Sequence, residues 1–516
     1  MNNKFDLGKN NLSFALLCFL PAALVVGPLP AEIIINFLSL SFLYEVFKQK
    51  KFDIFKNFIF IYIFVYFIYL IIISISSEIF IKIAPNVIFY FRFILFSLAI
   101  SEILKKNEKY LSYILLSLSL TIFIVVIDGF IQFIFDENIL GYPKYRPDRI
   151  SGFFNDDLII GSYLFRLLPL MIGLTLIFRE KSRYLYYFNT LVILLTIVLV
   201  LLSGERASFV LLSLSLTIIF IQVDLSRYVK FFLAFGVLSA ITLVVTFNPI
   251  ISDRYISQFK NHLIKKNTKE FMPYYLPMFK TAYKMFEEKK LIGFAPKSFR
   301  YYCGDERFAS FIPGPGIEID NTLVKIITSW KEPRNLEVNE MLVKVGDTIH
   351  KGSELFSYNF TEDYEVHNYI SDKEGLILTL NTKKKYLRYD KFASVKPLYS
   401  PNKIVYKKNA CNTHPHSTYL QLLAETGLIG FIFVFLIFCY LLIILLKNTI
   451  NLTFFEKNRL SNIEVCILAG FFAVLWPLTT SGNFFNNWLN IINYYPLGFY
   501  LYFYKKIDNH KNNISL

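Results

Sequence analysis

No run of the form G-x-x-x-x-G-K-[ST] occurs in the 516 residues, so the chain has no loop of the kind that cradles ATP phosphates. No Asp-x-Asp pair occurs either; Asp156 and Asp157 are adjacent, and the usual signature of metal-dependent transfer from nucleotide sugars is missing. Alternating ten-residue strands, which a membrane β-barrel needs, are absent too. No small-residue cleavage site follows a short apolar core near Met1, so the first apolar run is expected to persist as a helix. There is no internal repeat and no low-complexity tract. Cysteine is scarce: of five, Cys18, Cys439 and Cys466 lie in apolar runs and read as inert packing residues.

What remains is strongly apolar. Hydrophobic residues make up 54% of the chain, aromatics 18%, and the mean hydropathy is +0.45, more than a soluble chain of this length needs. Many apolar runs reach the roughly 20 residues that a helix needs to cross about 30 Å of hydrocarbon. The expected class is an all-α polytopic membrane protein with about 12 transmembrane helices. The runs lie near 11–29, 31–47, 55–76, 89–104, 111–135, 157–178, 185–202, 207–224, 228–248, 420–447, 463–482 and 488–505. The net charge of +15, from 54 basic and 39 acidic residues, would suggest nucleic acid in a soluble chain. Here the bases are segregated: Lys48, Lys50, Lys51, Lys105, Lys106 and Lys447 fall in alternate loops, as the positive-inside rule requires of cytoplasmic segments. That asymmetry predicts both termini in the cytoplasm and no nucleic-acid partner.

Three regions follow: 1–248, an N-terminal membrane region of about nine helices; 249–415, a large segment on the outer face; and 416–516, a C-terminal membrane region of about three helices. Within the outer segment, 249–300 has helical spacing, with Tyr275, Phe279, Ala282, Tyr283 and Phe286 on one face and Gly293 as a stop. Residues 320–398 turn β-rich. The run VKVGDTIHKGSELFSY resembles half of a biotinyl/lipoyl-like barrel, with a Gly-Asp turn, but the following hairpin, Phe360 to Val366, carries no lysine for a prosthetic group. His350 and His367 within it read as surface residues rather than metal ligands. Pro401 and Pro415 mark turns back to the membrane. Cys303 and Cys411 share the outer segment and are a disulfide candidate in an oxidising compartment, with two free thiols as the alternative.

The most informative run is CNTHPHSTYLQLLAETGLIG, residues 411–430. It sets His416 where a polar loop meets an apolar helix, and an imidazole there titrates near neutral pH. His416-Ser417 followed by Gly427 and Gly430 resembles the signature of the bacterial O-antigen ligase and polymerase superfamily. Four further runs resemble that superfamily's outer-face motifs in the same order: RISGFFNDD (149–157), SGERASF (203–209), LIGFAPKSFRYYC (291–303) and SGNFFNNW (481–488). One departure is Ala295, where the superfamily often has a second glycine before Phe-Arg.

The resemblance implies transfer of a glycan from an undecaprenyl-pyrophosphate carrier to an acceptor hydroxyl, with inversion and without ATP, metal or cofactor. His416 would be the general base, and Arg206 and Arg300 would hold the diphosphate, since guanidinium forks fit phosphate oxygens. Arg149, His414, Ser417 and Asn483 would contact substrate, Ser417 alternatively capping the tenth helix. Plainer roles compete: a helix cap for His416, interfacial anchoring for the arginines. Glu425, Arg92 and Arg166 fall in apolar runs, where a charge is a functional candidate by default. The leading reading is an O-antigen ligase acting on lipid A core in the bacterial inner membrane, with its active site in the periplasm. The alternatives are the polymerase of the same superfamily, a ligase that glycosylates protein, a lipid-carrier flippase, and a receptor or anchor.

Overall fold

A computed structural model describes residues 7–263, 272, 275–312, 324–327, 336–360, 365–382, 385–386, 391–396, 408–409, 411–455 and 459–514. Pro401 lies outside the described residues. The first helices are α1 (Leu7–Val26), α2 (Pro28–Gln49), α3 (Phe58–Ile75), α4 (Phe80–Ile88), α5 (Arg92–Lys106) and α6 (Tyr110–Phe135). Then come α7 (Ile160–Ile177), α8 (Arg183–Leu202), α9 (Arg206–Gln222) and α10 (Arg227–Phe247). The short α11 (Pro249–Ser252) and α12 (Gln258–Leu263) lead to α13 (Leu276–Glu288) and α14 (Phe299–Tyr302). The chain closes with α15 (Thr418–Ile450), α16 (Asn462–Val474) and α17 (Asn487–Ile514).

The molecule is a polytopic helical membrane protein. Its long helices keep large apolar side chains turned outward: Ile33, Leu40, Ile61, Ile72 and Leu436 are all exposed, as only a hydrocarbon surround permits without penalty. Twelve spans are not found, however. Among the described residues seven helices are long and apolar enough to cross a membrane, or eight if a pair bent by 99° is one span. The shortfall has local causes. That bend falls at Asn248–Pro249, where proline has no N–H to continue the ladder. The apolar parts of α1, α9 and α16 stop short at Leu12–Val26, Arg206–Gln222 and Asn462–Val474. The run expected at 463–482 loses its last third to an irregular loop containing Pro477 and Gly482. The helix α17 is long, but Asn487, Asn490 and Asn493 keep its membrane-length stretch out of the apolar class.

Contacts divide the chain into two compact units. One comprises Met1–Ile127, Ile159–Ser310 and Ala410–Leu516; the other comprises Asp128–Leu158 and Phe311–Asn409. In the first, α5 packs on α2 and α17, and α16 packs on α7 and α9. Small residues allow the approach: a Cβ on Gly173 would lie 2.4 Å from Ile463 Cδ1.

The second unit holds the β-rich region. Its strands are β1 (Phe311–Ile312), β2 (Val324–Ile327), β3 (Leu336–Met341), β4 (Thr348–Ile349) and β5 (Glu354–Phe360). They continue with β6 (His367–Ile370), β7 (Gly375–Leu380), β8 (Lys385–Tyr386), β9 (Lys391–Lys396) and β10 (Lys408–Asn409). The expected barrel is not formed. Among the described residues, two four-stranded antiparallel sheets, ordered β2-β9-β7-β4 and β6-β5-β3-β8, stay open, and β1 pairs with β10. Closure needs the outer strands of a sheet to pair with each other; among the described residues β2 and β4, and β6 and β8, each pair on one side. A single core joins the two sheets, with Leu336, Leu355 and Phe356 meeting Ile349, Ile377 and Val395. The Gly-Asp turn is present: Gly346 takes φ 99° and Asp347 accepts from Lys344 N at 2.7 Å.

Candidate active site

The helix α15 begins at Ser417, whose hydroxyl accepts from Leu420 N, the ordinary way of satisfying a free first-turn donor. One residue earlier, His416 has φ 56°, a left-handed conformation that non-glycine residues seldom adopt. Strain of this kind persists only where surrounding contacts enforce it. Those contacts come from the loop before α17: Ser481 N donates to His416 O at 3.0 Å. The Thr418 hydroxyl donates to Ser481 Oγ at 2.9 Å, and Asn483 Nδ2 donates to Thr413 O at 3.4 Å. Gln421, one turn into α15, donates to Asn483 Oδ1 at 2.9 Å and accepts from Phe484 N at 3.0 Å.

The two histidines have different surroundings. Their rings are 4.3 Å apart between centroids. A carbonyl can only accept, so His414 Nε2, 3.1 Å from Ser481 O, carries the proton, and Nδ1 takes the Thr413 hydroxyl at 2.9 Å. Burial first, and the charge of His416 second, push the His414 imidazole down to about 4. It is a neutral ring with both nitrogens engaged. His416 instead has Nε2 3.1 Å from Asn412 Nδ2, a donor, which leaves a lone pair on that nitrogen. The Tyr275 ring stands edge-on to it at 5.8 Å. Burial lowers the His416 imidazole below its ordinary value.

Arg300 is exposed on α14, and its charge bears on His414. It is tied to the same loop covalently, because Cys303 is disulfide-bonded to Cys411 with the Cα atoms 5.1 Å apart. A second tie lies deeper. The helix α15 breaks at Gly427, with φ 62° and ψ −169°, and the segment 290–294 enters the break. Phe294 N donates to Ala424 O (3.1 Å), Leu428 N to Lys290 O (2.8 Å) and Ile429 N to Leu291 O (3.2 Å). These bonds replace helical ones that the break removes. The Tyr69 hydroxyl donates to Thr426 O at 2.6 Å. Backbones touch here: a Cβ on Gly427 would lie 2.3 Å from Leu291 C, and one on Gly293 would lie 2.5 Å from Gly427 N. Ala295 follows in the left-handed region at φ 80°, although it is not glycine.

Two candidates remain, Arg206 and Arg149. Arg206 heads α9, its guanidinium 6.0 Å from the Phe259 ring. Beside it, buried Glu205 accepts from Gly161 N (2.7 Å), Ser162 N (3.0 Å) and the Ser208 hydroxyl (2.9 Å), capping α7. Arg149 belongs to the second unit, where Nη2 donates to Leu158 O at 3.0 Å. His414, His416, Ser417, Asn483, Arg300, Arg206 and the Cys303–Cys411 pair thus belong to one unit, and Arg149 to the other.

Sequence reasoning passed over Asn412, Gln421, Ser481 and Lys297. Gln421 had a visible signal, since Ser417, Gln421 and Glu425 recur every four residues on one face of a helix. Ser481 and Lys297 had none, because their partners are remote in sequence, whereas Asn412 meets His416 only four residues on.

A cavity of about 720 Å³ lies in the same unit between α3, α15, α16 and α17. Its wall is mostly apolar and aromatic, with Tyr62, Tyr66, Phe433 and Tyr494. Thr418, Ser481 and Asn483 form a polar part of it, and Arg166 is the one charged wall residue among those described. No protein-family model matches the chain, and no curated protein matches it.

Proposed function

We propose that the protein is an O-antigen ligase-like membrane glycosyltransferase, moving a glycan from undecaprenyl pyrophosphate to an acceptor hydroxyl of lipid A core. The observation that carries this reading is Ser481, which belongs both to the wall of the apolar cavity and to the latch around His414 and His416. An apolar carrier chain seated in that cavity would bring its polar end to the histidines. His416, with a lone pair on Nε2, would remove the proton of the acceptor hydroxyl once that hydroxyl replaces Asn412 as its donor. The oxygen would attack the anomeric carbon opposite the diphosphate, forming the glycosidic bond as the carbon–phosphate-oxygen bond breaks. Inversion follows from one displacement. The leaving diphosphate carries the charge away, and Arg300, whose charge bears on His414, would stabilise it. Arg206 and Arg149 are proposed as further carrier or glycan contacts. No ATP, metal or cofactor is required, because the glycosyl diphosphate donor already carries a good leaving group. The reading sets the protein in the bacterial inner membrane, both termini cytoplasmic and His416 facing the periplasm, in keeping with the basic residues of the opposite loops.

The test is surface-polysaccharide analysis in a ligase-deficient host. Wild type should restore long polysaccharide on lipid A, and His416→Ala, expressed at equal level, should not. Lengthening of carrier-linked chains without attachment would mean the polymerase instead. Attachment to protein would mean a protein ligase, and carrier translocation without transfer would mean a flippase.

A further inference from the structure

The turn that precedes Arg300 is held by a carboxylate from another element. Glu425, fully buried in α15, accepts from Lys297 N through Oε2 (2.9 Å) and from Phe299 N through Oε1 (3.0 Å). Gln421 donates to the same Oε2 at 2.9 Å and joins this clamp to Asn483. Leading into the clamped amides the backbone is unusual: Gly293, Ala295 and Lys297 all have positive φ, at 66°, 80° and 62°. Lysine gains nothing from a left-handed backbone, so its conformation is imposed by the clamp. The consequence is the direction of its side chain. Lys297 is half-buried and its Nζ donates to Asn86 Oδ1 of α4 at 2.7 Å, a neutral partner, and among the described residues no carboxylate pairs with it directly.

We propose that Lys297 is a diphosphate-binding residue paired with Arg300, and that Glu425 is the positioning residue that holds both on one turn. The proposal deepens the glycosyltransferase reading and rests on it. Two cations three residues apart on a rigid turn suit two linked phosphates: the ammonium serves as a point donor and the guanidinium as a fork. The charged groups bearing on Lys297 are Arg300 of α14, Glu425 of α15, Glu32 of α2 and Arg92 of α5. Burial first and Arg300 second bring its ammonium down to about 8, against the pull of Glu425 and Glu32. Lys297 is therefore cationic below that value and loses its charge as pH rises through it. A bound anion favours the charged form and strengthens it.

The probe is undecaprenyl pyrophosphate in detergent, with undecaprenyl alcohol as the uncharged control, and dissociation constants are measured between pH 7 and 9.5. For wild type, affinity for the diphosphate should fall as pH rises past about 8, while affinity for the alcohol stays level. Lys297→Met should weaken the diphosphate about tenfold at pH 7, as loss of one charge-assisted contact does, and leave the alcohol unchanged. Lys297→Arg should keep the affinity and abolish the fall, since guanidinium stays charged. Glu425→Gln should weaken the diphosphate, and adding Lys297→Met to it should cost little more, because the lysine is already misplaced. That absence of additivity is what a merely structural glutamate would not produce. The proposal is overturned if Lys297→Met binds the diphosphate like wild type, or loses diphosphate and alcohol equally. If Arg300→Met also binds like wild type, or wild type does not bind the diphosphate, the glycosyltransferase reading falls with it. Loss confined to Arg300→Met removes Lys297 and leaves that reading standing.

Discussion

Gly427→Ala should dismantle the junction between α15 and the segment 290–294. The residue stands at φ 62° and ψ −169°, a region open in practice only to glycine, and alanine there costs about 1–3 kcal/mol. The new Cβ would lie 2.3 Å from both C and O of Leu291. Backbone atoms cannot rotate aside as a side chain would, so the inserted segment must withdraw. Withdrawal breaks the bonds from Leu428 N to Lys290 O and from Ile429 N to Leu291 O. At about 1 kcal/mol each, the total comes to about 3–5 kcal/mol, concentrated at one junction. Hydrogen–deuterium exchange on the purified protein should show Leu428 and Ile429 losing protection, with new protease cleavage near 289–294. Gly236→Ala is the control: that helical glycine has nothing within 4 Å of a new Cβ, so stability should change by no more than about 1 kcal/mol, upward if at all. The reasoning is refuted if Gly427→Ala leaves exchange at Leu428 and Ile429 unchanged and its melting temperature matches that of Gly236→Ala.

Three other outcomes follow from the same geometry. Ala295→Gly should stabilise the turn by about 1 kcal/mol, because φ 80° is unfavourable for a side chain; a higher melting temperature would show it, and a lower one would contradict it. Replacing Cys303 and Cys411 with serine opens a bridge across 108 residues, and a loop of that length corresponds to about 4–5 kcal/mol of chain entropy. Melting temperature should drop and become insensitive to reductant, whereas wild type should respond to it. For pH, the proposed base is the neutral His416 ring, and burial lowers its titration, so on that proposal transfer should remain full at neutral pH. It should fall only as pH drops through a midpoint below the ordinary imidazole value of about 6.5. A limb at or above that value argues against His416 as the base.

The amino-acid sequence alone determined the class. Apolar runs such as Phe58–Ile75 and Arg183–Leu202 are long enough to commit the chain to a membrane, whatever their neighbours do. It also showed a histidine at the mouth of α15 and a polar, β-rich insertion. Counting spans from it fails where backbone geometry decides. Hydropathy sums composition, so it could not see the 99° bend at Pro249 or the irregular loop that ends α16 early to latch His416. Barrel closure was invisible for a related reason: strand patterns report alternation, and pairing of outer strands depends on partners distant in the chain.

The candidate site divides the same way. Ser417 as a helix cap and the Ser417–Gln421–Glu425 stripe are local, set by helical period and readable in order. Lys297 is not. Its position depends on a carboxylate 128 residues away clamping its amide, and on two glycine backbones, Gly293 and Gly427, meeting at a distance that any Cβ would forbid. Contacts of that kind carry no periodic trace in a single chain, because each half is satisfied only when the other is already in place. Local propensity and hydropathy therefore reach the membrane class and the helix bearing His416, and packing alone decides which charges stand beside it.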